Sequence, residues 1–315
     1  MKTRELGRSG LHITPLAFGG NVFGWTADEA RSFELLDAFV DAGGNLIDTA
    51  DKYSAWVPGN RGGESETIIG RWLKRSGKRD RVLIATKAGM DMGGGRSGLS
   101  RTHLMRSVDE SLSRMGIDCI DLYQAHVDDP ATPIEETLSA YADMIRAGKI
   151  RAIGASNFTA ERLAESLATA DRLGLPRYQT LQPEYNLVTR PGFEAALQAL
   201  CVRESVSVIP YYALASGFLT GKYRRPDDTT NRTRGSRAAR YMDERGFRVL
   251  DALDEISSRL KTTPTAVALA WLRDRPSVAA PIASATTIAQ LGDLFASLRI
   301  TLDPQAVTRL DEASA

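Results

Sequence analysis

Short β-branched runs alternate along this chain with stretches whose apolar residues recur at helical spacing. "PLAFGG" is followed by a helical stretch from Glu29 to Ala42, and "NLIDTA" by one from Glu64 to Lys74. "VLIATK" precedes Ser100 to Met115, "CIDLYQAH" precedes Pro133 to Ala147, and "IRAIGAS" precedes Thr159 to Leu173. The pattern continues with "QTLQPEYN" and Pro191 to Arg203, "SVSVIPY" and a helix around Pro264 to Arg273, then "SVAAPIAS" and Ile288 to Leu298. Strands separated by helices lie parallel in one sheet. Eight such units without a break predict a closed (β/α)8 TIM barrel rather than an open doubly wound sheet.

Local signals sharpen the boundaries. Ser100 and Thr159 stand where helix caps belong, and Thr132-Pro133 places proline at a first helical position ahead of Glu135 and Glu136. Two segments depart from the rhythm. "KTREL" and "LHITP", joined by "GRSG", predict an N-terminal hairpin able to plug one end of the barrel. A polar insertion rich in Arg and Thr runs from about Phe218 to Asp243, and long loops of this kind carry function. No linker divides the chain, so residues 1–315 are expected to form a single domain.

Composition narrows the partners. The 315 residues carry 40 basic and 39 acidic side chains mixed along the chain, net +1, which argues against a nucleic-acid groove or a basic membrane-binding face. The two cysteines, Cys119 and Cys201, lie in apolar segments and read as reduced thiols, and no Cys/His spacing points to a metal. "MKTRELGRSG" lacks the apolar core of a signal peptide and no apolar run reaches bilayer length, so a cytoplasmic protein is expected.

The chemistry sits at strand ends. Asp48 closes "NLIDTA", Lys87 closes "VLIATK", His126 closes "DLYQAH", and Tyr53 follows Asp48 in "DKYS". In a barrel such ends converge on one face. Singly, each has a structural reading: a helix cap, a packed ring, a solvated tip, a satisfied imidazole. Together they form a set able to protonate an alkoxide. Tyr53 supplies the proton, Lys87 lowers the phenol's pKa, Asp48 holds the ammonium, and neutral His126 donates to the carbonyl oxygen.

The segments "GGNLIDTADKYS", "ATKAG", "DLYQAHVDD", "IRAIGASNF", "LQPEYNLVTR" and "VIPYYALASGFLTGKY" resemble, in order, those of the aldo-keto reductases. The resemblance covers nearly the whole chain. It implies NAD(P)(H)-dependent interconversion of a carbonyl and its alcohol, without metal, with Asp48, Tyr53, Lys87 and His126 as the catalytic tetrad. It further implies that Gly20, Asn21 and Asp48 lie against the cofactor, that Ser156, Asn157 and Gln182 bind the nicotinamide carboxamide, and that Tyr211 stacks on the ring. Tyr212, Ala213, Leu214, Ser216, Gly217, Leu219, Gly221 and Lys222 then form the pyrophosphate loop, where small residues admit phosphate to backbone N–H groups. No GxGxxG follows a strand, so a Rossmann reading has no support.

At the adenosine end the implied contacts are Ala283, Ser284, Ala285, Thr286, Thr287 and Gln290 in "PIASATTIAQL". Thr286 stands where many members carry a basic residue for the 2′-phosphate. NADP(H) is expected over NAD(H), by a modest margin, with Arg224 and Arg225 as compensating cations. Asn21 to Trp25, Trp56, the "AGMDMGGGRSGLS" segment and the insertion form the expected substrate walls. Trp25 and Trp56 can sandwich a ring, and Gly93 to Gly95 can serve a flap. The substrate class is a small carbonyl or alcohol, sugar-like or xenobiotic. The other readings are a dinucleotide-binding regulatory barrel with little or no turnover, like the potassium-channel β-subunits, and a phosphate-binding isomerase or lyase barrel, which would need neither Tyr53 with Lys87 nor the Ser156-Asn157 pair.

Overall fold

The computed structural model describes residues 2–315. Two short strands, β1 (Arg4–Glu5) and β2 (His12–Ile13), pair antiparallel as the expected hairpin. Eight parallel strands follow: β3 (Ala17–Gly19), β4 (Leu46–Asp48), β5 (Leu83–Ala88), β6 (Ile120–Ala125), β7 (Ile150–Ser156), β8 (Thr180–Gln182), β9 (Ser207–Val208) and β10 (Ile282–Ala283). They are ordered β10-β3-β4-β5-β6-β7-β8-β9. The ring closes where Val208 and Pro210 exchange backbone bonds with the segment before β10: Val208 N–H to Ser277 O (2.7 Å), Ala279 N–H to Val208 O (2.8 Å) and Ile282 N–H to Pro210 O (2.9 Å). The fold is the (β/α)8 barrel that the alternation predicts.

Strand side chains point alternately inward and outward. Ala17, Leu46, Ala85, Leu122 and Ala152 fill the inside, and Leu6, Leu11 and Ile13 of the hairpin region join them, plugging the N-terminal end. Phe18, Ile47, Ile84 and Tyr123 face outward against the helices. The same parity sends Asp48, Lys87, Gln124 and His126, one or two steps further along, into the C-terminal mouth. Gly154 sits in this inner ring because a Cβ there would lie 2.2 Å from Thr180 Oγ1 and 3.0 Å from Gln124 Cγ.

The helices around the barrel are α1 (Glu29–Asp41), α2 (Glu64–Ser76), α3 (Arg101–Met115), α4 (Ile134–Arg146), α5 (Ala160–Leu173), α6 (Pro191–Glu194), α7 (Leu197–Glu204), α8 (Gly235–Ala238), α9 (Glu244–Leu260), α10 (Pro264–Arg273), α11 (Ile288–Ala296) and α12 (Pro304–Ala313). Ser100 and Thr159 cap α3 and α5 as expected, accepting from His103 N–H and Arg162 N–H. Three details differ from the sequence reading. The single helix expected over Pro191 to Arg203 is broken at Ala195 and Ala196 into α6 and α7. Two helices were not anticipated, α9 and α12, each capped by an aspartate, Asp243 and Asp303. The insertion before α9 is ordered into short turns and α8, pinned by buried Phe218, Ala238 and Tyr241.

Candidate active site

The inward parity of β4 and β5 brings Asp48 and Lys87 side by side. Lys87 is fully buried and donates three hydrogen bonds: to Asp48 Oδ2 (2.8 Å), to Thr49 O (2.8 Å) and to Tyr53 Oη (3.0 Å). All three ammonium protons therefore have acceptors, so the charged form is the one this geometry suits. Burial pulls the Lys87 pKa below the usual lysine value while the Asp48 carboxylate pulls the other way. Asp48 is held from its second oxygen by Gln182 Nε2 (2.9 Å) and Gln124 Nε2 (3.5 Å). Gln124 was missed in the sequence; it lies opposite Lys87 in the β5–β6 register.

Tyr53 hangs from the loop after β4, its Oη 3.4 Å from Asp48 Oδ2. The loop is fixed by Ser54, at φ 71° with its hydroxyl on Phe23 O (2.7 Å). Lys87, 3.0 Å from the phenol oxygen, is expected to depress the phenol's pKa, but other effects outweigh it. Burial, and after it the Asp48 charge, place it well above the ordinary tyrosine value. The phenol is thus protonated, with the Lys87 ammonium 3.0 Å from its oxygen. His126 is buried, with its pKa driven well below the usual imidazole range by burial and by the Lys87 and Lys52 charges. It is neutral, and its Nδ1 has no partner among the described residues.

These groups line the floor of a cavity of about 840 Å³ that runs from Trp25 and Trp56 past Tyr53 and His126 to Gln290 and Asp293. Its middle is a network of amides. Ser156 Oγ donates to Gln182 O (2.8 Å), Asn157 Nδ2 to His126 O (2.9 Å), and Tyr211 Oη to Asn157 Oδ1 (2.8 Å). Gln182, expected to meet a carboxamide, spends its Nε2 on Asp48 and on Gln124 Oε1 (3.3 Å).

Beyond Tyr211 the backbone is unusual. Tyr212 (φ 51°), Ala215 (47°), Ser216 (57°), Gly217 (93°) and Gly221 (77°) all adopt left-handed conformations within one loop. Backbone strain of this kind gathers at functional sites, and the loop holds itself by Ala215 N–H to Tyr212 O (2.7 Å), Gly217 N–H to Leu214 O (2.8 Å) and Gly221 N–H to Phe218 O (3.0 Å). Ser216 Oγ is buried with no partner among the described residues, and a Cβ on Gly217 would stand 3.0 Å from Lys222 Nζ. Lys222, Arg232, Arg234 and Arg237 line the adjacent wall. None of the four pairs with a carboxylate among the described residues. Arg237 donates to Tyr212 Oη (2.8 Å), Arg234 lies 5.4 Å over the Trp25 ring, and the Arg234 Nη2 is buried without an acceptor.

Most residues named from the sequence line the cavity: Asn21, Trp25, Asp48, Tyr53, Trp56, His126, Ser156, Asn157, Gln182, the loop from Tyr211 to Leu214, Ser216, Gly217, Lys222, Ala283, Ser284, Thr286 and Gln290. Lys87 lies beneath Tyr53. Gly20 backs the site, where a Cβ would crowd Ser65 Oγ and Asp48 O at 3.0 and 3.1 Å. Leu219 and Ala285 are buried in the core and Gly221 makes a turn. Thr287 spends its hydroxyl capping α11 at Gln290 N–H (3.2 Å), and Ser284 Oγ is bonded to Gly19 O and Asn21 Oδ1. Arg224 points elsewhere, paired with Asp254 at 2.7 Å, and neither it nor Arg225 reaches the cavity wall. Trp25 and Trp56 meet edge to face at 5.5 Å, so they form one wall and not a slot. Met90 and the three insertion arginines line the cavity within segments expected as walls, whereas Lys52 and Asp293 were missed.

Among the described residues no cluster of three His, Cys, Asp or Glu is arranged to hold a metal, and no helix is long and apolar enough to cross a membrane. A sequence profile of the Aldo/keto reductase family matches residues 15–315. Protein tas of Escherichia coli is 33% identical over 99% of this chain and 97% of its own length. A probable voltage-gated potassium channel subunit beta of Oryza sativa is 32% identical over 99% of this chain and 96% of its own. Aldo-keto reductase yakc [NADP(+)] of Schizosaccharomyces pombe is 30% identical over 99% and 91%. With the barrel, the inward polar ring and these likenesses together, the chain belongs to the aldo/keto reductase family, a family of oxidoreductases.

Proposed function

We propose that this protein reduces carbonyl compounds to alcohols, and oxidises them back, with NAD(P)(H) as hydride carrier and Tyr53 as general acid and base. The observation that carries this reading is the Lys87 ammonium bonded at once to Asp48 and to Tyr53 Oη. The dinucleotide, when bound, supplies or accepts the hydride. Everything else falls to the chain. Neutral His126 directs an N–H at the carbonyl oxygen, Tyr53 delivers its proton to that oxygen as charge develops there, and Lys87 stabilises the phenolate left behind. Asp48 keeps the ammonium charged and in place. In oxidation the same groups act in reverse.

The residues present fit a dinucleotide. Asn157 and Ser156 offer polar atoms beside His126, the loop from Tyr212 to Gly221 is strained, and the Ser216 hydroxyl and Arg234 Nη2 have no partner among the described residues. We infer that Lys222, Arg232, Arg234 and Arg237 hold its phosphates. At the adenosine end Thr286 and Gln290 are bonded to each other and Asp293 adds a carboxylate, so NADPH is favoured over NADH only modestly. The likeness to proteins named as channel β-subunits favours one other reading, a nucleotide-sensing barrel with little turnover. A screen of aldehydes, ketones and sugars with NADPH and NADH separates them: multiple turnovers on any carbonyl support the enzyme. Tight dinucleotide binding with no turnover on any class supports the sensor.

A further inference from the structure

Outside the sheet, on the far side of β5 from the tetrad, lies a second buried charge cluster. Glu66 of α2 is fully buried and accepts from Thr86 Oγ1 (2.6 Å) and from Arg114 Nε of α3 (2.6 Å). Asp51, from the loop that carries Tyr53, is 4% exposed, and its Oδ1 has no partner among the described residues. Its own N–H donates to Lys87 O (3.1 Å), which fastens it to the catalytic strand. The charges that face it are Glu66 from α2, Arg114 from α3 and Lys87 from β5, with the Tyr123 hydroxyl from β6 beside them. Each cation already has a partner, Lys87 with Asp48 and Arg114 with Glu66. Glu110 of α3 reaches Arg114 as well, at 3.6 Å, so no cation of the set is left over for an ionised Asp51.

We propose that Asp51 is a positioning residue whose protonation sets the pH range of the Tyr53 proton transfer: reduction runs with Asp51 neutral and slows when it ionises. The reason is charge. An ionised Asp51 adds a negative charge facing Lys87, which raises the proton affinity of the ammonium and of the phenol bonded to it, making Tyr53 a weaker acid. Burial and the Glu66 charge hold the Asp51 carboxyl far above the usual aspartate range, up to about 7. An acid whose folded-state pKa is raised contributes stability at low pH that is lost as pH climbs through the folded value. Stability should therefore fall between pH 3.8 and about 7 and level off above, while the reduction rate declines through about 7.

This inference rests on the reductase reading, and two measurements keep the two apart. The first is the thermal midpoint against pH, without substrate or cofactor, for wild type and Asp51→Asn. The expected result is a wild-type midpoint that falls as pH rises from 3.8 to about 7 and levels off above it, and a shallower curve for the variant. The second is the pH profile of kcat for carbonyl reduction at saturating cofactor. The wild type should lose roughly three- to tenfold across neutrality, a pKa change of up to about one unit in Tyr53, and Asp51→Asn should lose that inflection with KM unchanged. Should Asp51→Asn not fold, Glu66→Gln serves: it frees Arg114 to pair with Asp51, and the inflection should move to lower pH. Parallel thermal curves, an inflection that survives in Asp51→Asn, or one that Glu66→Gln leaves in place overturns the proposal. A wild type that reduces no carbonyl overturns the reductase reading and this inference with it, whereas parallel thermal curves in an active enzyme overturn this inference alone.

Discussion

At the proposed catalytic end of the cavity Lys87 and Asp48 are paired at 2.8 Å, and each of the four polar groups sits on or beside a strand. Along the wall built by the insertion four cations, Lys222, Arg232, Arg234 and Arg237, face the cavity with no carboxylate paired to them among the described residues. The first arrangement is preorganised: its bonds already exist, so little reorganisation is needed when charge develops on a substrate oxygen. The second is incomplete by itself. Like charges gathered on one wall repel, and the cost is recovered when an anion enters. Lys222 shows this, since burial and then Arg234 and Arg232 push its pKa below the usual lysine value. Substitutions at the first end should therefore remove chemistry while sparing binding, and those at the second should do the reverse.

The sharpest test is Tyr53→Phe. It removes only the hydroxyl, from a residue whose ring also packs against Trp56 at 6.1 Å, so the fold and the dinucleotide site should survive. Turnover should fall by roughly 10²- to 10⁴-fold, the size of a general-acid contribution. Cofactor affinity by fluorescence titration should stay within about twofold of wild type, well under the tenfold that 1.4 kcal/mol represents. Wild-type turnover in the variant would end the assignment.

Lys87→Met probes the same end through its counter-charge. It leaves Asp48 buried without a cation, and breaking such a pair costs about 3–5 kcal/mol, which denaturant unfolding should register. Surviving activity in the alcohol-oxidising direction, where Tyr53 must give up its proton to act as base, should show its rising acid-side limb moved to higher pH, because the phenolate loses the 3.0 Å donor that stabilises it. A variant of unchanged stability and unchanged pH profile would mean that the ion pair is ornamental.

The contrast also separates what the chain's pattern reveals from what it hides. Asp48, Lys87 and His126 were legible because strand parity and strand ends are local: "VLIATK" announces its own inward positions. The α9 helix was legible too, and went unread: Asp243 caps Gly246 N–H, and Val249, Leu250, Leu253 and Ile256 repeat at helical spacing. The break between α6 and α7 falls at two alanines, where neither glycine nor proline marks it. Arg224 and Arg234 could not be told apart in sequence. One turns to Asp254 on α9 and the other turns inward over Trp25, a choice made by how Phe218 and Tyr241 anchor the insertion. Asp51 looked like part of a polar loop, and only the packing of α2 and α3 shows it to be enclosed.

Arg234→Ala tests the incomplete end. A charge-assisted hydrogen bond is worth about 1.5–3 kcal/mol, so dinucleotide binding should weaken by roughly 10- to 100-fold with kcat at saturating cofactor little changed. The loss should shrink as salt rises, since partly exposed phosphate contacts are screened. An unaltered Kd would show that the arginine serves only the Trp25 wall.

The smallest effect is expected where the adenosine ribose would lie. Thr286 offers no cation: its N–H and hydroxyl both meet Gln290 Oε1, at 2.8 and 3.1 Å, and Asp293 lines the cavity one turn further along α11. A 2′-phosphate brings close to two negative charges, which that carboxylate opposes and which the insertion arginines alone can offset. Thr286→Arg should then raise the NADPH-to-NADH ratio of kcat/KM, but by less than a free arginine would, because Asp293 competes for the new guanidinium. An exposed, shared ion pair is worth about 0.2–1 kcal/mol, which corresponds to a gain of at most several-fold. Asp293→Asn should raise the same ratio by itself, and the double variant should exceed the product of the two if the carboxylate and the guanidinium pair. Both cofactors have to be compared at one ionic strength. A wild type that already prefers NADPH by more than about a thousandfold would place the 2′-phosphate on the insertion arginines, and would make this end as complete as the catalytic one.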